Sequence, residues 1–308
     1  LESAIDPEED IALLQYTGGT TGNPKGVMLT HYNLSSNVQM CETWLSRSGN
    51  QGGQDVVLGI LPFFHVYGMT AVMNFAIKKA SKIILIPKFD AGELLKVIDK
   101  QKPNLFPGAP TIYIGLLTHP DLEKYDLSSI DACISGSAPL PIEIQERFER
   151  ITGGNLVEGY GLTETSPVTH ANFVYAERIN GSIGVPWPDT DAKIVQMGEN
   201  GLEEVPIAKI GAIAVKGPQI IKGYWNNEEE TANVLKDGWL LTGDLGYVDE
   251  RGFFYVVDRK KDTIIAGGFN IYPREIEEIL YEHEDIQEAV AAGVPDPYRG
   301  ETVKAYVV

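Results

Sequence analysis

The residues best suited to chemistry stand close together near the start of the chain, in Thr17–Gly26, which reads T-G-G-T-T-G-N-P-K-G. These ten residues comprise three threonines, four glycines, one asparagine, one proline and one lysine. Glycine allows positive φ and lets backbone N–H groups approach a ligand, while Lys25 adds a positive charge. The stretch therefore predicts a cradle for a polyphosphate. The simpler alternative, a flexible turn between two strands, explains this density of hydroxyl, glycine and lysine groups less well.

This phosphate loop, residues 17–26, is not a Walker A loop. A Walker A loop has Gly directly before its Lys and Ser or Thr directly after it. Here Pro24 precedes Lys25 and Gly26 follows it. The sequence therefore predicts a different kind of phosphate site.

Three later stretches place polar groups where predicted strands end: Pro62–Gly68 (P-F-F-H-V-Y-G), Ser135–Leu140 (S-G-S-A-P-L) and Gly159–Thr165 (G-Y-G-L-T-E-T). Taken alone, the second and third are more typical of plain strand-to-helix connections. A lone histidine such as His65 is more often a packed residue bonded to the backbone. Glu164 is suited to Mg²⁺, because magnesium in ATP sites is usually held by one or two carboxylates together with phosphate oxygens.

Two charged sites follow in the last third of the chain. Asp244 ends the stretch G-W-L-L-T-G-D, and its carboxylate could accept hydrogen bonds from both hydroxyls of a ribose. The alternative is a turn residue after Gly243. Asp258–Asp262 reads D-R-K-K-D, a charge run of the kind that is normally a solvated linker.

Taken in order, these motifs resemble those of the adenylate-forming enzymes, a superfamily that includes acyl-CoA synthetases, luciferases and peptide-synthetase adenylation domains. Gly18 stands where many relatives carry Ser, so one side-chain hydroxyl is missing while the backbone cradle is kept. The resemblance covers essentially the whole chain. Within the superfamily, Phe106–Tyr113, Gly181–Pro188 and Val294–Glu301 are most similar to bacterial long-chain fatty acid–CoA ligases.

The resemblance implies which residues bind ATP. The implied phosphate-binding residues are Thr17, Gly18, Gly19, Thr20, Thr21, Gly22 and Lys25. The implied adenine pocket comprises Gly136, Ser137, Ala138, Pro139, Gly159, Tyr160 and Gly161. Asp244 would then bind the ribose, and the context of the other motifs favours this role over a turn.

The resemblance also implies roles around the reacting groups and in a second lobe. Thr163 would contact the α-phosphate, Glu164 would hold Mg²⁺, and His65 would gate the carboxylate substrate. A general-base role for His65 is not expected, because a carboxylic acid is already ionised at neutral pH. In the second lobe Arg259 would reach the ribose or a phosphate and Lys261 would act as the hinge. Gly267 and Gly268 would lie in a loop that approaches CoA.

The implied reaction uses a fatty acid, ATP with Mg²⁺, and CoA. The fatty carboxylate attacks the α-phosphate, giving acyl-adenylate and pyrophosphate, and CoA then displaces AMP. Two alternatives stay open at this point. One is an acyl-AMP ligase that loads a carrier protein, and the other is a non-catalytic fragment that binds ATP or an acyl group.

The elements that must position these motifs alternate between strands and helices. Predicted strands are Ile11–Gln15 (buried), Val27–Thr30, Val56–Ile60, Lys82–Ile86, Asn104–Phe106, Ala132–Ser135 and Asn155–Glu158. Predicted helices are His31–Ser46 (capped by Asn33), Met69–Lys78, Asp90–Lys100, Pro110–Thr118 and Pro141–Ile151. Such alternation predicts an α/β fold with a mostly parallel sheet and flanking helices, whose ligands bind beyond the carboxyl ends of the strands.

From Gly181 the pattern changes to short strands separated by turns. Ser182–Val185, Ala192–Gln196, Gly211–Lys216 and Phe253–Asp258 are predicted strands, with turns at Asn200-Gly201 and Lys236–Gly238. A helix follows at Pro273–His283, and Val303–Val308 is strand-like. We therefore expect three domains: 1–178 (α/β), 179–257 (a small β-rich subdomain) and 258–308 (the hinge and start of a mobile C-terminal α+β lobe).

Composition narrows the class of protein further. The net charge of −18 argues against a nucleic-acid partner, because no basic stripe is available to meet phosphates. Cys41 and Cys133 are too few for a disulfide framework, which fits a cytoplasmic protein. Peripheral membrane contact would suit an acyl substrate. The chain opens without an initiator Met and stops inside a predicted strand, so the resemblance leads us to expect further lobes at both ends.

Overall fold

The computed structural model describes residues 4–17, 24–45, 53–198, 201–259, 262–266, 269–283 and 285–308. Its α-helices are α1 (His31–Leu45), α2 (Phe75–Lys79), α3 (Ala91–Gln101), α4 (Pro110–Leu117), α5 (Ile142–Thr152), α6 (Glu228–Val234) and α7 (Pro273–Tyr281). A π-helix spans Gly68–Asn74, and 3₁₀ turns span Leu122–Lys124 and Thr163–Thr165.

The strands fall into two groups along the chain. The first group is β1 (Ile11–Thr17), β2 (Lys25–Thr30), β3 (Val56–Gly59), β4 (Lys82–Leu85), β5 (Ala132–Ser135), β6 (Asn155–Gly161), β7 (Val168–Ala171) and β8 (Val185–Pro186). The second group is β9 (Asp191–Gly198), β10 (Gly201–Glu204), β11 (Gly211–Lys216), β12 (Gly223–Tyr224), β13 (Leu235–Lys236), β14 (Trp239–Val248), β15 (Phe254–Arg259), β16 (Ile264–Ala266), β17 (Phe269–Ile271), β18 (Ala289–Asp296) and β19 (Gly300–Val307).

A mostly parallel sheet forms the core of the first part, as the alternation predicts. Strand β4 pairs with β3 and β5 pairs with β6, all parallel, and Leu105 bridges β3 to β5. The predicted strand Asn104–Phe106 is thus reduced to one bridging residue, since Pro103 and Pro107 on either side lack the N–H that a ladder needs. β7 and β8 continue the sheet in antiparallel fashion.

The flanking helices bury apolar faces against this sheet. On α3, Leu94, Leu95 and Ile98 are fully buried, and the Asp90 side chain caps the helix by accepting from the Glu93 N–H at 2.9 Å. The helix predicted at Met69–Lys78 begins instead as the π-helix and becomes α-helical only at Phe75.

The phosphate loop joins the first two strands of a three-stranded antiparallel sheet, ordered β1-β2-β12. The prediction of a buried first strand is wrong: Leu14 is 38% and Tyr16 59% exposed. The central strand β2 is buried instead, with Val27 and Leu29 both inaccessible to solvent. An apolar run in the sequence does not reveal which of two neighbouring strands becomes the edge.

The cap of α1 also differs from the prediction. The Thr30 hydroxyl accepts from the Asn33 N–H at 3.1 Å, and the Asn33 side chain accepts from the Thr30 N–H at 2.9 Å. Thr30 is therefore the capping residue, and Asn33 completes a reciprocal pair of the capping-box type. Asn33 also donates to the carbonyls of Pro218 and Ile220, so it anchors the helix to a distant segment.

The β-rich region is built on an antiparallel sheet ordered β10-β9-β11-β14-β13, with β15 paired to β14. Asp244 lies inside β14, so the alternative of a simple turn residue is wrong. The turn predicted at Lys236–Gly238 is confirmed, since Asp237 and Gly238 have φ of +53° and +79° between β13 and β14. The predicted strand Ser182–Val185 is wrong: β8 starts only at Val185, after Gly184 at φ +82°.

The last part of the chain forms a four-stranded sheet ordered β17-β16-β19-β18, against which α7 packs. The predicted strand Val303–Val308 corresponds to the second half of β19. The predicted domain limits at 178/179 and 257/258 stay predictions. In the described part of the chain, no helix combines the length and apolar character needed to cross a membrane.

Candidate nucleotide site

A cavity of about 800 Å³ opens beyond the carboxyl ends of the parallel strands, as such sheets predict. Its wall contains residues from the phosphate-loop hairpin, the parallel sheet and the β-rich region. The predicted site residues that line it are Thr17, Lys25, His65, Gly136, Ser137, Gly159, Tyr160, Gly161, Thr163, Glu164, Asp244 and Arg259. The fold therefore brings together motifs that are up to 242 residues apart, from Thr17 to Arg259.

The two ends of the phosphate loop face each other across the hairpin, because Thr17 on β1 pairs with Lys25 on β2. The predicted phosphate-binding residues Gly18, Gly19, Thr20, Thr21 and Gly22 lie outside the described residues. The Lys25 ammonium forms an ion pair with Glu230 and lies 5.2 Å from the centroid of the Tyr224 ring.

Glycines form the part of the wall that the sequence predicted as an adenine pocket. A Cβ at Gly136 would come within 2.9 Å of the Tyr67 ring, and a Cβ at Gly159 within 2.6 Å of the Ile134 side chain. Both distances are shorter than carbon–carbon contacts, so larger residues would displace these walls. Ala138 and Pro139 do not line this cavity, and instead line a second one next to it.

Asp244 sits at the centre of a hydrogen-bonded group. It is 6% exposed and accepts the Tyr160 hydroxyl at 2.5 Å. The Arg259 guanidinium lies opposite on β15, with Nε 3.7 Å from the other carboxylate oxygen. Burial, and then the charge of Asp244, hold the pKa of Tyr160 well above its usual range, so the hydroxyl remains a donor.

Glu164 projects from the 3₁₀ turn Thr163–Thr165 into the cavity. Its Oε1 accepts the Tyr224 hydroxyl at 2.8 Å. Within the described ranges no Lys, Arg or His lies at ion-pair distance from this carboxylate, which lines the cavity. Thr163 lines the same wall one residue earlier.

His65 also lines the cavity, just before the π-helix. Its Nδ1 accepts the Tyr67 N–H at 3.2 Å, so the packed, backbone-bonded interpretation is correct for this nitrogen. Burial lowers the pKa of the imidazole, which keeps it neutral at pH 7. Because the ring also lines the cavity, its gating role stays a prediction.

The second cavity, of about 610 Å³, lies between the strand-end loops and the C-terminal sheet. A buried ion pair crosses from one side to the other: Arg274 on α7 lies 3.4 Å from Glu158 on β6. Burial raises the pKa of Glu158, and the Arg274 charge opposes that rise. Arg259 lines both cavities, whereas Lys261, Gly267 and Gly268 lie outside the described residues.

The sequence predictions missed four residues of this region: Tyr224, Glu230, Glu158 and Arg274. Glu158 stands directly before Gly159 and Arg274 directly after Pro273, so both adjoin predicted motifs. Tyr224 lies on the two-residue strand β12 and Glu230 in the first turn of α6, and no local residue pattern indicates a role for either. Only their three-dimensional contacts identify them.

The fold and the cavity define an α/β protein with a nucleotide-type site built from strand-end loops. A family model described as AMP-binding enzyme matches residues 2–225, and one described as AMP-binding enzyme C-terminal domain matches residues 275–308. The chain belongs to the AMP-binding enzyme family.

Similar proteins are found among curated sequences and solved structures. The chain is 66% identical to the long-chain-fatty-acid–CoA ligase of Bacillus subtilis strain 168, over 99% of this chain and 54% of that protein. Identity to the enzyme of the same name from Escherichia coli O6:H1 is 40%, over the same shares. ATP-bound MatB from Rhodopseudomonas palustris is similar with TM-score 0.88 and 36% identity, covering 97% of this chain and 58% of that one.

A complex of the anthranilate CoA ligase AuaEII with anthranoyl-AMP has a TM-score of 0.90 at 30% identity, covering 100% of this chain and 58% of that one. These values confirm the α/β fold and the superfamily resemblance. The chain spans about half the length of the curated relatives it matches.

Proposed function

We propose that the full-length protein is a long-chain fatty acid–CoA ligase. In the first step a fatty carboxylate oxygen attacks the α-phosphate of ATP, and pyrophosphate leaves. In the second step the CoA thiolate attacks the acyl carbonyl, and AMP leaves. One observation carries the proposal: a single cavity gathers the phosphate-loop ends, the adenine loops, Asp244 and Glu164. The names of the similar curated proteins support the acyl substrate.

In this proposal the chain binds and orients ATP from three sides. Lys25 and the phosphate loop hold the phosphates, Asp244 accepts the ribose hydroxyls, and Tyr160 with the neighbouring glycines encloses the adenine. Thr163 contacts the α-phosphate, and the neutral His65 faces the incoming carboxylate. The contribution of these groups is positioning, together with stabilisation of the charge that develops on phosphate oxygens.

A magnesium ion fits the donors around Glu164. The carboxylate faces the cavity, and its bonded neighbour is the neutral Tyr224 hydroxyl. Among described residues, no group of three or more His, Cys, Asp or Glu side chains is gathered as a metal site. A donor set of one carboxylate plus phosphate oxygens is typical of magnesium held in a nucleotide complex. The ion would neutralise phosphate charge when bound.

The C-terminal lobe contributes to the second step in this proposal. CoA would approach through the second cavity, where Arg259 borders both spaces and Lys261 serves as the hinge. Gly267 and Gly268 would belong to the loop beside CoA. Cys41 and Cys133 are both free and buried, which fits a cytoplasmic location. Long-chain fatty acids partition into membranes, so peripheral membrane contact would give the enzyme access to its acyl substrate.

The test follows both half-reactions with the full-length protein. Pyrophosphate release should require a fatty acid, and thioester formation should require CoA, across a panel of acyl chain lengths. Lys25→Met should lower pyrophosphate release about 10²–10³-fold, because one preorganised donor is lost. Lys96→Met, at an exposed lysine that pairs with Glu93 and lines neither described cavity, is the matched control and should keep full activity.

Two outcomes would contradict the proposal. Absence of fatty-acid-dependent pyrophosphate release at every chain length would exclude acyl-adenylate formation from fatty acids. Transfer of the acyl group to a carrier protein but not to CoA would instead identify an acyl-AMP ligase.

A further inference from the structure

Tyr224 lies between two charged groups that the proposed function uses, although it has no role there so far. It sits on the two-residue strand β12, where it pairs with Val27 on β2. The residue is only 5% exposed, yet it lines the nucleotide cavity. A buried tyrosine normally finds a partner for its hydroxyl, so the identity of that partner is informative.

The hydroxyl partner is the Glu164 carboxylate, at 2.8 Å from Oε1. A second bond ties the same two segments, since the Ile221 N–H donates to the Glu164 carbonyl at 3.0 Å. A tyrosine hydroxyl is protonated at neutral pH, so it donates this hydrogen bond and the carboxylate accepts it. A glutamate side chain has three rotatable bonds, and this contact restricts its orientation.

The ring of Tyr224 faces the other charged group. The Lys25 ammonium lies 5.2 Å from the ring centroid, within the range of a cation–π contact. Lys25 is paired with Glu230, in the first turn of α6. The Tyr224 N–H donates to the Thr231 hydroxyl of the same helix at 2.9 Å. β12 and α6 thus hold the tyrosine and the acidic partner of Lys25 in one unit.

These contacts give Tyr224 one neighbour at its hydroxyl and another at its ring face. The hydroxyl donates to the Glu164 carboxylate, and the ring face contacts the Lys25 ammonium. Lys25 forms its ion pair with Glu230, and Glu164 faces the cavity. In the described part of the chain the lysine thus pairs with Glu230, and the Glu164 carboxylate pairs with the neutral Tyr224 hydroxyl.

We propose that Tyr224 is a positioning residue that fixes the orientation in which Glu164 meets the divalent cation of the metal–nucleotide complex. The inference rests on the proposed function, because it takes Glu164 as the cation ligand. Hydrogen-bond partners that orient a metal ligand typically contribute about 10- to 100-fold to metal affinity. The hydroxyl of Tyr224 has the geometry of such a partner.

The test measures metal binding apart from turnover. Mn²⁺ is titrated by electron paramagnetic resonance into the full-length protein saturated with α,β-methylene-ATP. Tyr224→Phe, which keeps the ring over Lys25, should weaken Mn²⁺ binding about tenfold. The affinity of this variant for α,β-methylene-ATP without metal, measured with a chelator present, should equal that of the parent protein. Tyr224→Leu, which also removes the ring, should weaken binding of the metal-free analogue as well.

The matched control is Tyr255→Phe. The Tyr255 hydroxyl also contacts a carboxylate, that of Asp249 at 3.3 Å, but the residue lines neither cavity. This variant should bind Mn²⁺ like the parent protein. A decrease of equal size in both variants would indicate a general loss of stability and would overturn the proposal.

Glu164→Gln separates this inference from the function on which it rests. If Glu164→Gln weakens Mn²⁺ binding and Tyr224→Phe does not, Tyr224 has no positioning role, while the proposed function stands. If neither variant changes Mn²⁺ binding, Glu164 is not a ligand and the metal part of the proposed function fails. Where both weaken binding, the double variant should bind like Glu164→Gln alone, because the hydroxyl then has no ligand to orient. Additive losses would refute action through Glu164.

Discussion

Replacing Asp244 by Asn tests the ribose contact with little change of shape. The side chain is 6% exposed and is held by the Tyr160 hydroxyl at 2.5 Å, which an asparagine oxygen can also accept. The change removes the negative charge and turns one acceptor oxygen into a donor group. We therefore expect the fold to be preserved and the ribose contact to be lost.

The size of the effect follows from the bonds that the carboxylate would make. A hydrogen bond to a charged group is worth about 1.5–3 kcal/mol, and a bidentate contact would lose at least one such bond. At about 1.4 kcal/mol per tenfold, ATP affinity should fall roughly 10- to 100-fold. Arg259, with Nε 3.7 Å from the carboxylate, would also lose its partner, which adds to the loss if this residue helps to bind the nucleotide.

Calorimetric titration of the full-length protein with ATP and with 2′-deoxy-ATP is the assay. The parent protein should prefer ATP, and Asp244→Asn should lose most of that preference, because the ribose hydroxyl no longer has its acceptor. Thermal unfolding of both proteins serves as the control for folding. Unchanged ATP affinity, or an unchanged preference between the two nucleotides, would refute the ribose assignment.

Three further predictions concern stability, measured by urea unfolding. Arg274→Met leaves the Glu158 carboxylate buried without its cationic partner and should lower the free energy of unfolding by about 3–5 kcal/mol near pH 8. The loss should shrink near pH 5, because the pKa of Glu158, already raised by burial, rises further in the variant and protonation removes the buried charge. An equal loss at both pH values would contradict the buried ion pair. Thr30→Ala should cost about 1 kcal/mol and Asn33→Ala more, since Asn33 also donates to two distant carbonyls; the reverse order would refute the anchoring role of Asn33, and an unchanged stability of Thr30→Ala would refute the capping assignment. Gly184→Ala should prevent stable folding, because φ is +82° and its Cβ would lie 2.0 Å from the Ala171 backbone; a stable variant would show that this segment can move.

The sequence determined the features that depend on residues close together in the chain. Alternating apolar segments and helical periodicity predict β3, α3, β5, α5 and β6 to within a few residues, because side-chain spacing follows from backbone geometry. Turn and cap signals such as Lys236–Gly238 and Asp90 are equally local. The motifs around the phosphate loop also predicted the family correctly, because their residue types and order are characteristic of it.

Only the tertiary structure decided which distant residues meet. Tyr160 bonds to Asp244 across 84 positions, Tyr224 to Glu164 across 60, and Arg274 to Glu158 across 116. Each contact depends on strand order and register, which no local pattern encodes. The same reason explains the wrong expectation of a buried β1: its apolar residues gave its strand character, but its place at the edge of the sheet left Leu14 exposed.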